Sequence, residues 1–188
     1  MLVSPPNFTT FLVKLAARCN LNCDYCYVFN HVDQSWKSLP RRLSDDDQQH
    51  VAKRIGEYTR ENNIDYCLVV FHGGEPLLMP HQKIIQFVRD IKSLTNARVD
   101  FSLQTNGVLL NKEILDAFQK EKLGVSLSLD GPKATNDKHR LNHKNESSFN
   151  YVMRGLNLLK QYPDIFMGVI AVIDVRNDPK ELLDFFII

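Results

Sequence analysis

Cys19, Cys23 and Cys26 stand in the run Cys19-Asn-Leu-Asn-Cys23-Asp-Tyr-Cys26, and Cys67 is the one other cysteine of the chain. Three neighbouring thiols cannot all pair as disulfides, because three is odd. A metal can use all of them, since coordination stabilises thiolates held close together. A closed structural zinc site takes four ligands, usually in two separated halves, and here would need His31 or Cys67 as the fourth. Three thiolates on a four-iron cluster leave one iron open to a substrate or cofactor, whereas an electron-transfer cluster takes four. Structural thiols are the remaining reading, because free cysteine packs as a small hydrophobe. The spacing favours a catalytic iron–sulfur centre.

The elements that must position these thiols alternate along the chain. Phe11–Ala17, Cys67–Phe71, Val99–Leu103, Val125–Leu129 and Phe166–Ile173 are apolar runs of strand length. Between them lie helical patterns: Val51, Ile55 and Tyr58 behind a Ser44-Asp-Asp-Asp47 cap; Ile84, Ile85, Val88 and Ile91 within 81–94; Ile114, Leu115 and Phe118 within 111–119. A further helix starts near Ser147 or Ser148, and Asp178-Pro179 opens a last one holding Leu182, Leu183 and Phe186. Such alternation predicts an α/β fold with five parallel strands covered by helices.

Parallel strands place their C-terminal ends on one rim, where the connecting loops build sites. The first strand runs into the cysteine loop, the second into Gly73-Gly74-Glu75-Pro76, the third into Thr105-Asn106-Gly107 and the fourth into Asp130-Gly131-Pro132. Four of the eight glycines therefore sit just past strand ends. Glycine there allows close backbone approach, although turns favour it generally. The long connection from Phe29 to Leu43 carries His31, Asp33 and Trp36, candidates for covering the centre or touching a substrate.

Composition excludes other classes. The chain has 188 residues, 44% hydrophobic and 24% charged, with a net charge of +1, so no single-sign field points to nucleic acid or an anionic membrane. No apolar run approaches a membrane span, and Met1–Pro6 has neither a basic nor a long apolar stretch. The cysteines form no even disulfide framework, which makes a reducing cytoplasm the expected setting.

The ordered set of rim motifs resembles the radical S-adenosylmethionine (SAM) enzymes, in particular the peptide- and protein-maturing branch with a SPASM-type extension. Cys19, Cys23 and Cys26 match the C-x3-C-x2-C motif with Tyr25 before its last cysteine; Gly73–Pro76 matches GGEP, Gln104–Gly107 QTNG and Ser128–Pro132 S-x-D-G-P. His139 and Arg140 fall where this branch carries basic residues. The texture of Tyr27–Trp36 and of Phe71-His72 resembles the cyclophane-forming peptide maturases more than the sulfatase-maturating relatives.

The resemblance implies that Cys19, Cys23 and Cys26 hold a [4Fe–4S] cluster whose open iron binds SAM. Cleavage of SAM then yields a 5′-deoxyadenosyl radical that abstracts a hydrogen from a peptide or protein substrate, with electrons from a flavodoxin- or ferredoxin-like donor. It further implies cofactor contacts by Tyr25 (adenine), Gly73, Gly74 and Glu75 (the amino group and its loop), Ser128 and Asp130 (ribose or carboxylate) and Arg140 (carboxylate). His72 is the candidate for proton transfer, while Cys67 is expected in the core. The implied fold is a (β/α)6 barrel, here partial over residues 1–188. Its sixth strand and the SPASM-type extension would lie beyond Ile188, because the pattern stops within a helix and no cysteine follows Cys67. Formylglycine formation, and a non-catalytic metal-binding remnant, are the alternative readings.

Overall fold

The structure is a computed structural model that describes residues 7–187. Five strands, β1 (Thr10–Ala16), β2 (Tyr66–Gly73), β3 (Arg98–Thr105), β4 (Leu123–Ser128) and β5 (Phe166–Ile170), form one sheet in sequence order. Every neighbouring pair is parallel. The connections carry α1 (Asp45–Glu61), α2 (His81–Leu94), α3 (Lys112–Glu121), and both α4 (Lys133–Asn136) and α5 (Phe149–Leu159) before β5. Helix α6 (Pro179–Ile187) follows β5. An unbroken β1-to-β5 order is that of a barrel wall, and the five expected strands are all present.

Alternation within the strands shows which face the helices cover. In β2, Cys67, Val69 and Phe71 are fully buried while Leu68, Val70 and His72 are half-buried. Val69 and Phe71 join Ile84, Phe87, Val88 and Ile91 of α2 in the core. Phe71 packs at ring-centroid distances of 5.6 Å from Phe87 and 6.0 Å from Phe101. Truncating such a ring costs about 3–5 kcal/mol, so this cluster ties β2 and β3 to α2. Cys67 is fully buried and does not line the cavity that the cysteine loop borders.

The helix starts follow local chemistry. Ser44 Oγ accepts from Asp47 N at 3.1 Å and Asn111 Oδ1 from Ile114 N at 2.9 Å, each satisfying an orphan donor of a first turn. In α1 the buried face is Gln48, Ala52, Ile55, Gly56 and Thr59, so of the expected stripe only Ile55 is fully inward. Val51 and Tyr58 turn instead toward the side of β1. Strand β5 is shorter than predicted and ends at Ile170, because its partner β4 ends opposite at Ser128. Helix α4 has no apolar periodicity and was not foreseen. Ser148 does not cap α5; its hydroxyl donates to the Arg140 carbonyl at 2.6 Å. Among the described residues no helix is long and apolar enough to cross a membrane.

Candidate active site

The C-terminal ends of the strands open on a cavity of 410 Å³. Cys19, Cys23, Tyr25, Cys26, His72, Gly73, Gly74, Glu75, Ser128, Asp130 and Arg140 all line it, as do Gln104, Thr105, Asn106, Ile170 and Val172. The eleven residues that the sequence offered as cluster ligands, cofactor contacts or proton carrier therefore border one space. The long-loop candidates do not: Asp33 and Trp36 line a neighbouring cavity, and His31 is exposed. Tyr27, Val28 and Phe29 take their place beside the cysteines.

The cysteine loop has no regular structure of its own and is strapped to a distant segment. Asn22 N donates to Leu141 O at 2.8 Å and Asp24 N to His139 O at 3.2 Å, alongside an antiparallel bridge between Leu21 and Asn142. His143 Nε2 lies 2.9 Å from the Cys19 carbonyl. This strapping delivers Arg140 to the site although it is far away in sequence.

Arg140 and Asp130 are buried and joined through Tyr25. The Tyr25 hydroxyl donates to Asp130 Oδ2 at 2.6 Å and accepts from Arg140 Nη1 at 3.0 Å. Arg140 Nη2 donates to Ser128 O at 3.1 Å, while Asp130 Oδ1 accepts from Val172 N at 3.1 Å. Burial pushes the Tyr25 phenol well above its ordinary value, so it stays protonated and donating. Ser128 Oγ accepts from Gln104 Nε2 at 2.8 Å, which aims the hydroxyl across the concave face.

Glu75 works inward. Its Oε1 accepts from Leu77 N at 3.0 Å and Thr105 Oγ1 at 2.7 Å, and its Oε2 from Asn106 N at 2.9 Å. Both oxygens are thus spent on holding the β2 loop to the β3 loop. Burial raises its pKa and these donors oppose the rise. Asn106, not singled out individually from the sequence, lies near the first cysteine. Its Nδ2 is 2.7 Å from Asn20 Oδ1 and 3.7 Å from Cys19 Sγ, and Leu21 N lies 3.4 Å from the same sulfur. The signal available in the sequence was its position just past a strand end.

The two glycines owe their identity to packing against the first strand. A Cβ on Gly74 would lie 2.2 Å from the Arg18 carbonyl oxygen, and one on Gly73, whose φ is +141°, 2.5 Å from that of Ala16. Gly74 N and Glu75 N donate to those carbonyls at 2.8 and 2.9 Å. Close approach of β2 to β1 requires the glycines directly, and it sets the loop beside the cysteines.

The sequence pattern of the radical SAM superfamily matches residues 13–186. The chain belongs to the radical SAM superfamily. It is 31% identical over 176 residues to a serine-type anaerobic sulfatase-maturating enzyme of Bacteroides thetaiotaomicron, covering 92% of this chain and 41% of that protein. A cysteine-type anaerobic sulfatase-maturating enzyme of Clostridium novyi is 31% identical over 160 residues, covering 81% of this chain and 41% of that protein. The structure of native anSMEcpe with bound AdoMet and Kp18Cys peptide matches with a TM-score of 0.81 at 26% identity, over 96% of this chain and 48% of that one. The chain thus spans less than half the length of these relatives.

Superfamily membership implies an iron–sulfur cluster and SAM, and the residues present fit both. Three half-buried thiols border one cavity. Burial pushes the Cys19 thiol up to about 12 and raises that of Cys23, so thiolates here need a cation to form. Among the described residues no group of three or more His, Cys, Asp and Glu side chains is arranged around one metal ion. A four-iron cluster differs from a single ion in that its thiolates bind separate irons. Two further lining residues, His72 and Arg140, each carry a buried nitrogen (Nδ1 and Nε) without a hydrogen-bond partner among the described residues.

Proposed function

We propose that this chain is the SAM-binding part of a peptide or protein side-chain maturase, with Cys19, Cys23 and Cys26 as ligands of a [4Fe–4S] cluster. The observation that carries the reading is the single cavity that joins the three cysteines to Gly73, Gly74, Ser128, Asp130 and Arg140. When bound, the cluster and SAM supply a reducing electron and a 5′-deoxyadenosyl radical able to abstract hydrogen from a side chain.

The protein's own residues bind, orient and exclude water. Arg140 offers a buried positive charge for the SAM carboxylate, held by Tyr25 and the Ser128 carbonyl. Ser128 Oγ and Asp130 border the space for the ribose, and Tyr25 that for adenine. The carbonyls of Gly73 and Gly74 are not used in the link to β1 and suit an ammonium group. Glu75 serves the cofactor indirectly, through the loop it braces. His72 is held neutral by burial, which lowers its pKa, and a neutral imidazole can accept a proton released during the reaction. Ile170 and Val172 add apolar lining to the cavity at the end of β5.

For the product, we infer cross-linking of side chains in a ribosomal peptide, a reading supported by the texture of Tyr27–Trp36 and Phe71-His72. The second reading, oxidation of Cys or Ser to formylglycine, is favoured by the sulfatase-maturating relatives. In either case the electron donor is a flavodoxin- or ferredoxin-like protein and the setting the cytoplasm.

Anaerobic reconstitution with iron and sulfide tests the site. One [4Fe–4S] cluster per chain is expected by Mössbauer and EPR spectroscopy, abolished in a triple Cys19, Cys23, Cys26→Ala variant and retained in Cys67→Ala. Stoichiometric tetrahedral zinc without a cluster would sink the proposal.

A further inference from the structure

From Thr10 to Lys14 the outer edge of β1 meets no other strand among the described residues, and a groove beside it leads to the active site. Among the described residues β2 is the one strand that pairs with β1, and Ala16 at the far end adds a single bridge to Arg42. Leu68 N donates to Thr9 O at 2.8 Å, so in this parallel ladder the odd residues bond to β2 and the backbone groups of Thr10, Leu12 and Lys14 turn outward. At its end nearest the active site the edge is taken up: Leu43 N donates to Leu15 O at 2.9 Å and Ala17 N to Arg41 O at 3.1 Å. From Thr10 to Lys14 it has no backbone partner on that side among the described residues.

A groove of 810 Å³ follows this stretch and is lined by all five residues Thr10–Lys14, which marks it as running along the edge itself. Its apolar walls include Phe8, Phe11, Val51 and Tyr58. Lys14, His50 and Arg54 also line it and no acidic residue does; Arg54 is paired with Glu57, which leaves Lys14 and His50 to meet an incoming carboxylate. The groove shares Lys14 and Leu43 with a second cavity of 500 Å³, which shares Tyr27, Val28 and Gly73 with the active-site cavity. Lys14 also stands opposite His72 in the β1–β2 register.

We propose that this edge docks an extended segment of the peptide substrate as an added strand. The peptide then runs past Lys14 and under the 29–43 connection to the cluster. The proposal rests on the peptide-maturase reading and adds to it where, and by what chemistry, the substrate is held. Main-chain hydrogen bonds to Thr10, Leu12 and Lys14 give affinity. Alternate apolar side chains enter the Phe8–Tyr58 groove, and an acidic residue meets Lys14 and His50.

The test uses the 188-residue chain and a fluorescein-labelled acetyl-Thr-Val-Glu-Val-Thr-Phe-Glu-Val-amide. One comparison peptide carries Lys in place of both Glu, and another is N-methylated at alternate residues. Anisotropy should show the acidic peptide bound about tenfold more tightly than either, the N-methyl loss being that of two or so backbone hydrogen bonds. Lys14→Glu, at an exposed position, should reverse the charge preference. Hydrogen exchange should slow at Thr10, Leu12 and Lys14 when the acidic peptide binds.

Equal binding of the three peptides would overturn the proposal, as would protection confined to other segments. So would amides at Thr10–Lys14 already protected in the free chain, which would mean that the chain covers its own edge. Cluster content and SAM binding are measured on the same samples. An intact cluster without peptide docking refutes the edge alone; peptide docking without a cluster refutes the maturase.

Discussion

Tyr25 donates its hydroxyl hydrogen to Asp130 Oδ2 at 2.6 Å, joining the cysteine loop to the end of the fourth strand. The same oxygen accepts from Arg140 at 3.0 Å, so a single phenol spaces a buried carboxylate from a buried guanidinium, whose nearest direct approach is 4.0 Å. A residue matched by resemblance to adenine contact thus also sets the geometry of the charges around the cavity.

Tyr25→Phe is expected to cost about 1–3 kcal/mol of folding stability, because it leaves a buried acceptor and a buried donor without their partner. Urea unfolding measures it. SAM affinity should fall as well, since Arg140 is then free to close directly on Asp130. Unchanged stability would mean that Tyr25 does not bridge the two.

Gly74→Ala tests the link between β1 and the β2 loop. The new Cβ would meet the Arg18 carbonyl oxygen at 2.2 Å, a backbone atom that cannot step aside. A loss of about 1–3 kcal/mol is expected, the usual cost of overpacking. Reconstituted cluster content should fall with it, because Arg18 leads directly into Cys19. An alanine variant with wild-type stability and cluster content would contradict the packing reason given for this glycine.

His139 gives a pH dependence. Its Nδ1 lies 2.8 Å from Asp24 Oδ1 and its Nε2 3.1 Å from Asp174 Oδ2, so the imidazolium bridges the cysteine loop to the segment after β5. Hydrogen bonds to Asp24 and then Asp174 raise its pKa. A raised folded-state pKa means that this stabilisation is fully present below the unfolded value of about 6.5 and is lost as pH rises through the folded value. Asp174 shifts the other way, lowered by Arg176 and then His139, and its contribution is lost only in strong acid. Thermal midpoints should therefore decline from mildly acidic to alkaline pH, and His139→Gln should flatten that slope. An unchanged slope in the variant would assign the decline elsewhere.

The five strands, the cap at Ser44 and the turns that border the cavity were legible because each rests on local pattern: alternation, a polar residue before an apolar stripe, a turn just past a strand. Contacts between distant segments were not. Nothing near Arg140 announces that residues 139–142 strap the cysteine loop, and Glu75 in its motif gives no sign that Thr105 and Asn106 of the β3 loop donate to its carboxylate. The reach of β5 also depended on where β4 stops, a property of the partner strand rather than of Phe166–Ile173. For Gly73 and Gly74 the sequence suggested room for a ligand, whereas the space that a side chain would fill belongs to the backbone at Ala16 and Arg18.

Asn106 provides the last prediction. Its Nδ2 sits 3.7 Å from Cys19 Sγ, beside the Leu21 N–H at 3.4 Å, so two donors face the sulfur of one proposed cluster ligand. Hydrogen bonds to ligand sulfur favour the more reduced, more negative state of a cluster and so raise its potential. Asn106→Ala removes one donor and also the Nδ2 contact to Asn20 Oδ1 at 2.7 Å, while Glu75 still holds the residue's backbone N–H at 2.9 Å. The reconstituted variant should therefore keep its cluster content but show a more negative reduction potential in an EPR-monitored redox titration. A cluster lost altogether would make Asn106 a structural prop for the cysteine loop, and an unchanged potential would show that its amide does not act on the Cys19 sulfur.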